Sequence, residues 1–155
     1  MPTAVNVGFA EYDADQIRLN GWGYSISKGI GQSGYADGLF CKIKPDGPSF
    51  TTKRGTDGFI TRSKTNNYLV EIELHIAQAN SATNDFLSSL LATDEQNPNG
   101  AGVGTFNMED LAGTSLLSCG YAWVAGFAEQ DFAREPEDRT WIVHGLRSAL
   151  NVGGN

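Results

Sequence analysis

The alternation of apolar and polar residues from Tyr68 to Ala77 constrains the fold more than any other feature of the sequence. Apolar residues occupy every second position, and polar residues stand between most of them: Tyr68, Val70, Ile72, Leu74 and Ile76 against Glu71, Glu73 and His75. A period of two is typical of a β-strand with one face on a core and the other on solvent or a partner. Glu71 and Glu73 are therefore expected to share the face opposite the core.

A helix is predicted directly after this strand, because the apolar period changes near residue 81. The later apolar residues are spaced so that only a helix gathers them on one face. We predict one short helix over about residues 82–93, with Ser81 as N-cap and Asp85 near the positive end of the helix dipole. The helix would pack four apolar side chains against the sheet: Phe86, Leu87, Leu90 and Leu91.

Strands and turns account for most of the remaining chain. We predict a β-hairpin over Leu39–Arg54, with its turn at Pro-Asp-Gly-Pro, residues 45–48. Further predictions are a strand with a glycine bend in Gln16–Tyr24, a strand over Thr105–Leu111, a central strand or bent pair of strands over Thr114–Gly126 kinked at Gly120, and a last strand over Arg139–Leu150.

Length and composition indicate one all-β domain with a single helix. The chain has 155 residues, 19 glycines and only 19% charged residues, and its short apolar runs are broken by Gly, Asn and Asp. We expect residues 1–155 to form one domain, in which residues 1–15 are a mobile arm or a first edge strand and 153–155 a flexible end. Cys41 and Cys119 are expected to be small core residues.

The net charge of −7 argues against tight binding to nucleic-acid phosphates, while transient passage of nucleic acid is compatible with it. The N-terminus does not have the basic and then apolar pattern of a secretory signal, and no apolar run approaches the ~18 residues of a membrane span. Synthesis in the cytoplasm is the expectation.

Two patterns in the sequence suggest ligand sites, and each has a simpler interpretation. Gly29–Gly34 matches G-x-G-x-x-G and Asp57 follows it, but the next residues lead into a strand, whereas a dinucleotide site needs a helix there. His75 and His144 lie in strands with no Cys or His at metal-ligand spacing. We therefore predict no cofactor and no metal.

Two further patterns suggest catalysis. Ser118 or Cys119 with a histidine would make a nucleophile and base, but no nucleophile-elbow signature accompanies them. The pairs Asp13/Asp15 and Glu71/Glu73 suit acid-base work in a glycosidase, yet the second pair is explained more simply as a solvated or interface face. The chain is not expected to be an enzyme.

Several short segments of the sequence occur in an order and at a spacing similar to those of a known protein family. They are Ser33–Phe40, Gly55–Ser63, Asn66-Asn67, the strand from Tyr68, Ser81–Leu90, Asp94, Asp110–Thr114, Ala122–Val124, Phe132, Arg139–Trp141 and Gly153–Asn155. In their ordered sum they resemble the tail tube (structural) protein family of contractile-tailed bacteriophages, the myophages. The resemblance covers about residues 16–155. Ser25–Gln32 departs from it, being longer and richer in glycine than the family pattern.

The resemblance implies a mainly β fold, a β-sandwich or half-barrel of two antiparallel sheets flanked by one short helix, with a protruding hairpin or loop. It implies homohexameric rings stacked into a hollow tube through which DNA leaves the capsid. The implied partners are further copies of the chain, the tail sheath protein, baseplate and tail terminator proteins, and DNA in non-specific passage, with no membrane binding. The implied location is the virion, after assembly in the host cytoplasm.

Two sets of assembly residues follow from this resemblance. Carboxylates that face the channel would repel phosphate, and six copies would multiply the acidity of the chain. The candidates for this lumen are Glu71, Glu73, Glu109 and Asp110. The candidates for docking between subunits or rings are Phe40, Lys42, Lys44, Asp46, Phe50, Lys53 and Arg54.

A different class of function remains open beside the tail tube. Exposed aromatic residues such as Trp22, Tyr24 and Tyr35 would suit a soluble ligand-binding β-sandwich, such as a carbohydrate-binding module. Such a module is expected to be a monomer, whereas a tube subunit forms rings or filaments.

Overall fold

The computed structural model describes residues 17–26, 41–78, 81–111, 113–127, 132, 134 and 138–153. The elements in these ranges are, in chain order, β1 Ile17–Gly21, β2 Tyr24–Ser25, β3 Cys41–Pro45, β4 Phe50–Arg54, β5 Ile60–Lys64, β6 Leu69–Ile76, α1 Ser81–Gln96, β7 Gly104–Asp110, β8 Leu116–Phe127 and β9 Arg139–Asn151. The predicted arm over residues 1–15, the glycine motif Gly29–Gly34 and residues 154–155 lie outside the described ranges.

Two antiparallel sheets make up the fold. Seven strands form the larger sheet in the order β2-β1-β7-β8-β9-β6-β3, and β4 pairs with β5 in a second sheet of two strands. The larger sheet curls into a half-barrel, of which the two-residue β2 only extends the edge. The predicted fold class, a mainly β half-barrel of two antiparallel sheets with one helix, is confirmed.

One face of the larger sheet and one face of α1 enclose the core. The four apolar residues of β6 that were assigned to the core are fully buried, and the residues between them are only partly buried. Leu87 of α1 is also fully buried, and Phe86, Leu90 and Leu91 pack against the same core. The predicted helix face is therefore confirmed, and α1 covers the sheet face to which β6 contributes Val70 and Ile72.

The start of α1 differs from the prediction. The first turn of the helix contains no acidic residue, because α1 begins at Ser81 and Asp85 falls just beyond that turn. The role assigned to Asp85 at the positive end of the helix dipole is therefore wrong. Asn84 instead anchors this end: its side-chain amide donates to the Ala77 carbonyl at 3.1 Å and accepts from Trp141 Nε1 at 3.0 Å.

The predicted hairpin over Leu39–Arg54 is wrong in its pairing. β3 pairs with β6, and β4 pairs with β5 across a later turn. Residues 46–48 lead out of the sheet after Pro45, and Pro48 has no N–H to donate to a ladder. β3 alternates Cys41 and Ile43 with lysines, so it stabilises the fold by adding an apolar face to the core beside β6.

Glycines set the two bends that were predicted from the sequence. Trp22 and Gly23 both have positive φ, 54° and 77°, and close the tight turn between β1 and β2. Gly120 lies where the register of β8 against β9 shifts between Cys119 and Tyr121. Thr114–Gly126 is therefore mostly one long strand, bent near its middle, and it lies at the centre of the sheet.

Within the described ranges, no helix combines the length and the apolar character that crossing a bilayer requires.

Candidate assembly surfaces

A tight turn closes the β4–β5 hairpin. The Gly55 amide donates to the Phe59 carbonyl at 2.7 Å, and the Phe59 amide donates to Asp57 Oδ1 at 3.0 Å. Gly58 has a φ of 84°, which L-residues rarely adopt. The local sequence Gly55-Thr-Asp-Gly58, with the backbone amide and carbonyl of Phe59, therefore supplies each group that the turn requires.

Every residue of β4 and β5 is exposed, on both faces of the hairpin. Three large apolar side chains of the hairpin are exposed. Phe59 in the turn is 71% exposed and Ile60 beside it 63%, and Phe50, in the strand pair furthest from the turn, is 44% exposed. A two-stranded hairpin on its own is at best marginally stable in water. The hairpin is thus the protruding element that the resemblance implies, although it is formed by later residues than the ones predicted.

The hairpin is basic, in contrast to the chain as a whole. Arg62 lies over the Phe50 ring, with its guanidinium carbon 4.3 Å from the ring centroid. The residues of Phe50–Lys64 that carry charge are Lys53, Arg54, Arg62 and Lys64 against Asp57 alone. A protruding element that combines exposed aromatic and basic side chains suits contact with an acidic surface.

The second candidate surface is the polar face of the large sheet, opposite α1. Glu71 and Glu73 lie on it, as predicted, and each is close to a histidine. Glu71 Oε1 is 3.6 Å from Nε2 of its cross-strand partner His144, and Glu73 Oε1 is 3.0 Å from His75 Nε2, without hydrogen-bond geometry. The Trp123 ring meets the His144 ring edge-on at 6.2 Å.

The register also brings Lys42 and Lys44 to this face, although they were predicted to belong to the docking hairpin. Lys42 is the cross-strand partner of Glu73, and Lys44 is the partner of Glu71. The four side chains line one open depression of about 250 Å³ on the surface. Two of the predicted lumen residues and two of the predicted docking residues therefore lie together on one sheet face.

The two lumen candidates of β7 lie on opposite faces of the sheet. Glu109 is exposed on the polar face, where its cross-strand partner is Arg18. Asp110 follows Phe106 and Met108 on the core side and is only 6% exposed. Asp110 therefore offers little surface to a channel.

The remaining docking candidates are distributed over three regions. Phe50, Lys53 and Arg54 belong to β4 and are exposed. Asp46 follows β3 at the base of the hairpin, where its carboxylate accepts a hydrogen bond from Asn67 at 2.9 Å. Phe40 lies outside the described residues.

The aromatic residues that would serve a ligand-binding module pack inward. Trp22 donates from Nε1 to the Ala122 carbonyl at 3.0 Å and meets Phe106 edge-on. Tyr24 stacks on Phe86 at 4.4 Å. Both residues are partly buried and pack against the core; Tyr35 lies outside the described residues.

Neither cysteine has the features of a nucleophile. Both are free thiols, Cys119 buried and Cys41 packed against the core, as predicted for core residues. Desolvation raises the pKa of Cys41 to about 12 and also raises the pKa of Cys119. Among the described residues, no group of three or more His, Cys, Asp or Glu side chains is arranged to hold a metal ion.

No protein-family model matches the chain, and no curated protein matches it.

Sequence reasoning missed the second half of the hairpin, and a local signal for it was present. The sequence from Gly55 was interpreted as a turn before the strand at Tyr68, and no strand was predicted for Ile60–Lys64. A Gly-Thr-Asp-Gly turn between Phe50–Arg54 and Ile60–Lys64 is itself a hairpin pattern. The Pro-Asp-Gly-Pro sequence at residues 45–48 favours a different hairpin, over Leu39–Arg54.

Proposed function

We propose that this chain is a structural subunit of a phage-type tail tube. Copies close into rings, expected to be homohexamers, and the rings stack into a conduit for DNA inside a contractile sheath. The subunit performs no catalysis, and its other partners are baseplate and terminator proteins of the same virion. The order of motifs in the sequence supports this proposal, and one structural observation carries it.

That observation is the fully exposed β4–β5 hairpin. Phe50, Phe59 and Ile60 gain nothing from their own core, although fully burying one such side chain is worth about 1.5–3 kcal/mol. A hairpin that keeps these side chains in water is explained if another copy of the chain covers them. A stacked assembly supplies that cover at every junction between rings.

The shape of the sheet supports the same function. Among the described strands, β2 and β3 end the sheet at two different edges. An interface between unlike edges is heterologous, and such interfaces build rings when the rotation closes. In this arrangement α1 and the core lie on one side of the curled sheet, and the polar face with Glu71 and Glu73 faces the channel.

Electron microscopy of the purified protein tests the proposal. We expect negative-stain images to show rings or tubes of uniform bore, and light scattering to give a mass well above that of one chain. Particles that remain monomeric at every concentration would contradict the tail tube function and favour a binding module.

A hairpin-replacement variant shows whether the hairpin joins the rings. Replacing residues 51–63 by a short Gly/Ser linker removes side chains that the core does not use. We expect the variant to keep the circular dichroism spectrum and unfolding midpoint of the body, and to stop at single rings or smaller species. Tubes as long as those of the wild type would exclude a docking role for the hairpin.

A further inference from the structure

The strands of the polar sheet face carry three carboxylates, and each has a cation directly opposite it on a neighbouring strand. The cross-strand pairs are Arg18 with Glu109, Lys42 with Glu73, and Lys44 with Glu71. The pairs belong to two different junctions, β1–β7 at one side of the sheet and β3–β6 at the other. The same arrangement thus occurs at both sides of the face.

The face is consequently neutral in sum. Within the described residues, the other charged side chains of these strands do not lie on this face. Asp110 is on the core side, and Arg139 and Arg147 share the parity of the buried Trp141 and Val143 and lie over the rings of Phe132 and Tyr68. Asp46 lies past the end of β3, at the rim. The acidity expected for the channel wall therefore does not come from these strands.

The net charge of −7 has another origin in the sequence. The described residues contain ten acidic and ten basic side chains, so they sum to zero. The other residues of the sequence contain one basic side chain, Lys28, and eight acidic ones, which gives the net −7: Glu11, Asp13, Asp15, Asp37, Glu129, Asp131, Glu135 and Glu137.

The spacing of the pairs decides what a passing phosphate experiences. Directly opposite residues of an antiparallel pair have Cβ atoms ~5 Å apart. This separation is shorter than the Debye length of ~8 Å at physiological ionic strength. Each member of a pair therefore lies within one Debye length of the opposite charge. The electrostatic fields of the two charges largely cancel before salt screens either of them.

We propose that this sheet face is a charge-compensated wall, past which double-stranded DNA moves with neither net attraction nor net repulsion. The inference rests on the proposed function for the direction in which the face points. It assigns Arg18, Lys42 and Lys44 a role that an acidic channel would not need, namely to balance Glu109, Glu73 and Glu71. The histidines beside Glu71 and Glu73 add cationic charge only when protonated.

Two opposite charge-neutralising variants test the wall. E71Q/E73Q/E109Q leaves three unopposed cations per copy, and R18Q/K42Q/K44Q leaves three unopposed carboxylates. Binding of a fluorescent 30-base-pair duplex to assembled protein is measured by anisotropy from 50 to 200 mM NaCl. We expect no binding by the wild type or by the carboxylate-rich variant. The cation-rich variant should bind at 50 mM with a dissociation constant at least about tenfold below the highest protein concentration titrated, and it should lose that affinity as salt rises.

A charge-swap variant is the matched control. K42E/E73K with K44E/E71K keeps the composition and the pairing and exchanges only the strands that carry each sign. We expect it to behave like the wild type. Binding by the wild type, no binding by the cation-rich variant, or tight binding by the swapped variant would each overturn the charge-compensated wall.

The titration distinguishes a failure of the charge-compensated wall from a failure of the proposed tail tube function. If no rings form, the proposed function fails, and the same duplex titration on single chains at 50 mM NaCl still compares the variants. A cation-rich single chain that binds no more tightly than the wild type would then reject the wall independently of assembly.

Discussion

Substituting the apolar tip of the β4–β5 hairpin should weaken assembly without weakening the fold. The variant F59S/I60S removes two side chains that are 71% and 63% exposed in the single chain. Because neither contributes to the core, the free energy of unfolding should change by no more than about 0.5 kcal/mol. The turn should persist, since Phe59 contributes to it through its backbone amide and carbonyl.

The cost to assembly follows from the surface that docking would cover. Burying a Phe or Ile side chain completely is worth about 1.5–3 kcal/mol, and roughly two thirds of each remains to be buried. The pair therefore contributes about 2–4 kcal/mol per docked hairpin, or roughly 30- to 1,000-fold in the association constant at each contact.

Sedimentation velocity across a concentration series measures this effect, with thermal unfolding of the same samples as the check on folding. L111S is the matched control, because Leu111 is 52% exposed and lies in the turn after β7, outside the hairpin. We expect F59S/I60S to need a much higher concentration to form tubes, and L111S to assemble like the wild type. Equal assembly by all three proteins would refute docking through the hairpin tip.

Two predictions concern the body of the subunit. L87A removes a fully buried side chain of α1 and should lower the free energy of unfolding by about 2–5 kcal/mol in urea titrations; a loss below 1 kcal/mol would mean that α1 does not cover the core. Because burial raises the pKa of Cys41 to about 12, its thiolate is scarce at pH 8, and iodoacetamide should label native protein far more slowly than urea-unfolded protein; equal rates would contradict the burial of this thiol.

Local periodicity predicted the elements whose residues lie close together in sequence. The alternation from Tyr68 and the helical spacing of Phe86 to Leu91 each fall within one element, so the sequence alone identifies both. Strand pairing is different, because it depends on residues far away. Nothing near Cys41 indicates that β3 pairs with β6, almost thirty residues later, instead of with the strand that follows the proline turn.

The sheet face was predicted in part for the same reason. Alternation placed Glu71 and Glu73 opposite the core, but their lysine partners depend on the β3–β6 register, which no local pattern supplies. Asp110 is the contrary case. It occupies an even position of β7 with Phe106 and Met108, so the same alternation would have assigned it to the core side. The prediction for this residue followed its charge and overlooked its position.

The base of the hairpin has a consequence for how such a subunit can change over evolution. Pro45 and Val70 are cross-strand partners, and the Asp46 amide donates to the Leu69 carbonyl at 3.1 Å. Residues 46–68 therefore leave the sheet and return to it at adjacent points. Segments with such closely spaced ends tolerate insertions and deletions, because closing a longer loop costs little. The hairpin can thus lengthen or shorten while the half-barrel keeps its sequence, and in the proposed tube this would change how far one subunit extends toward the next.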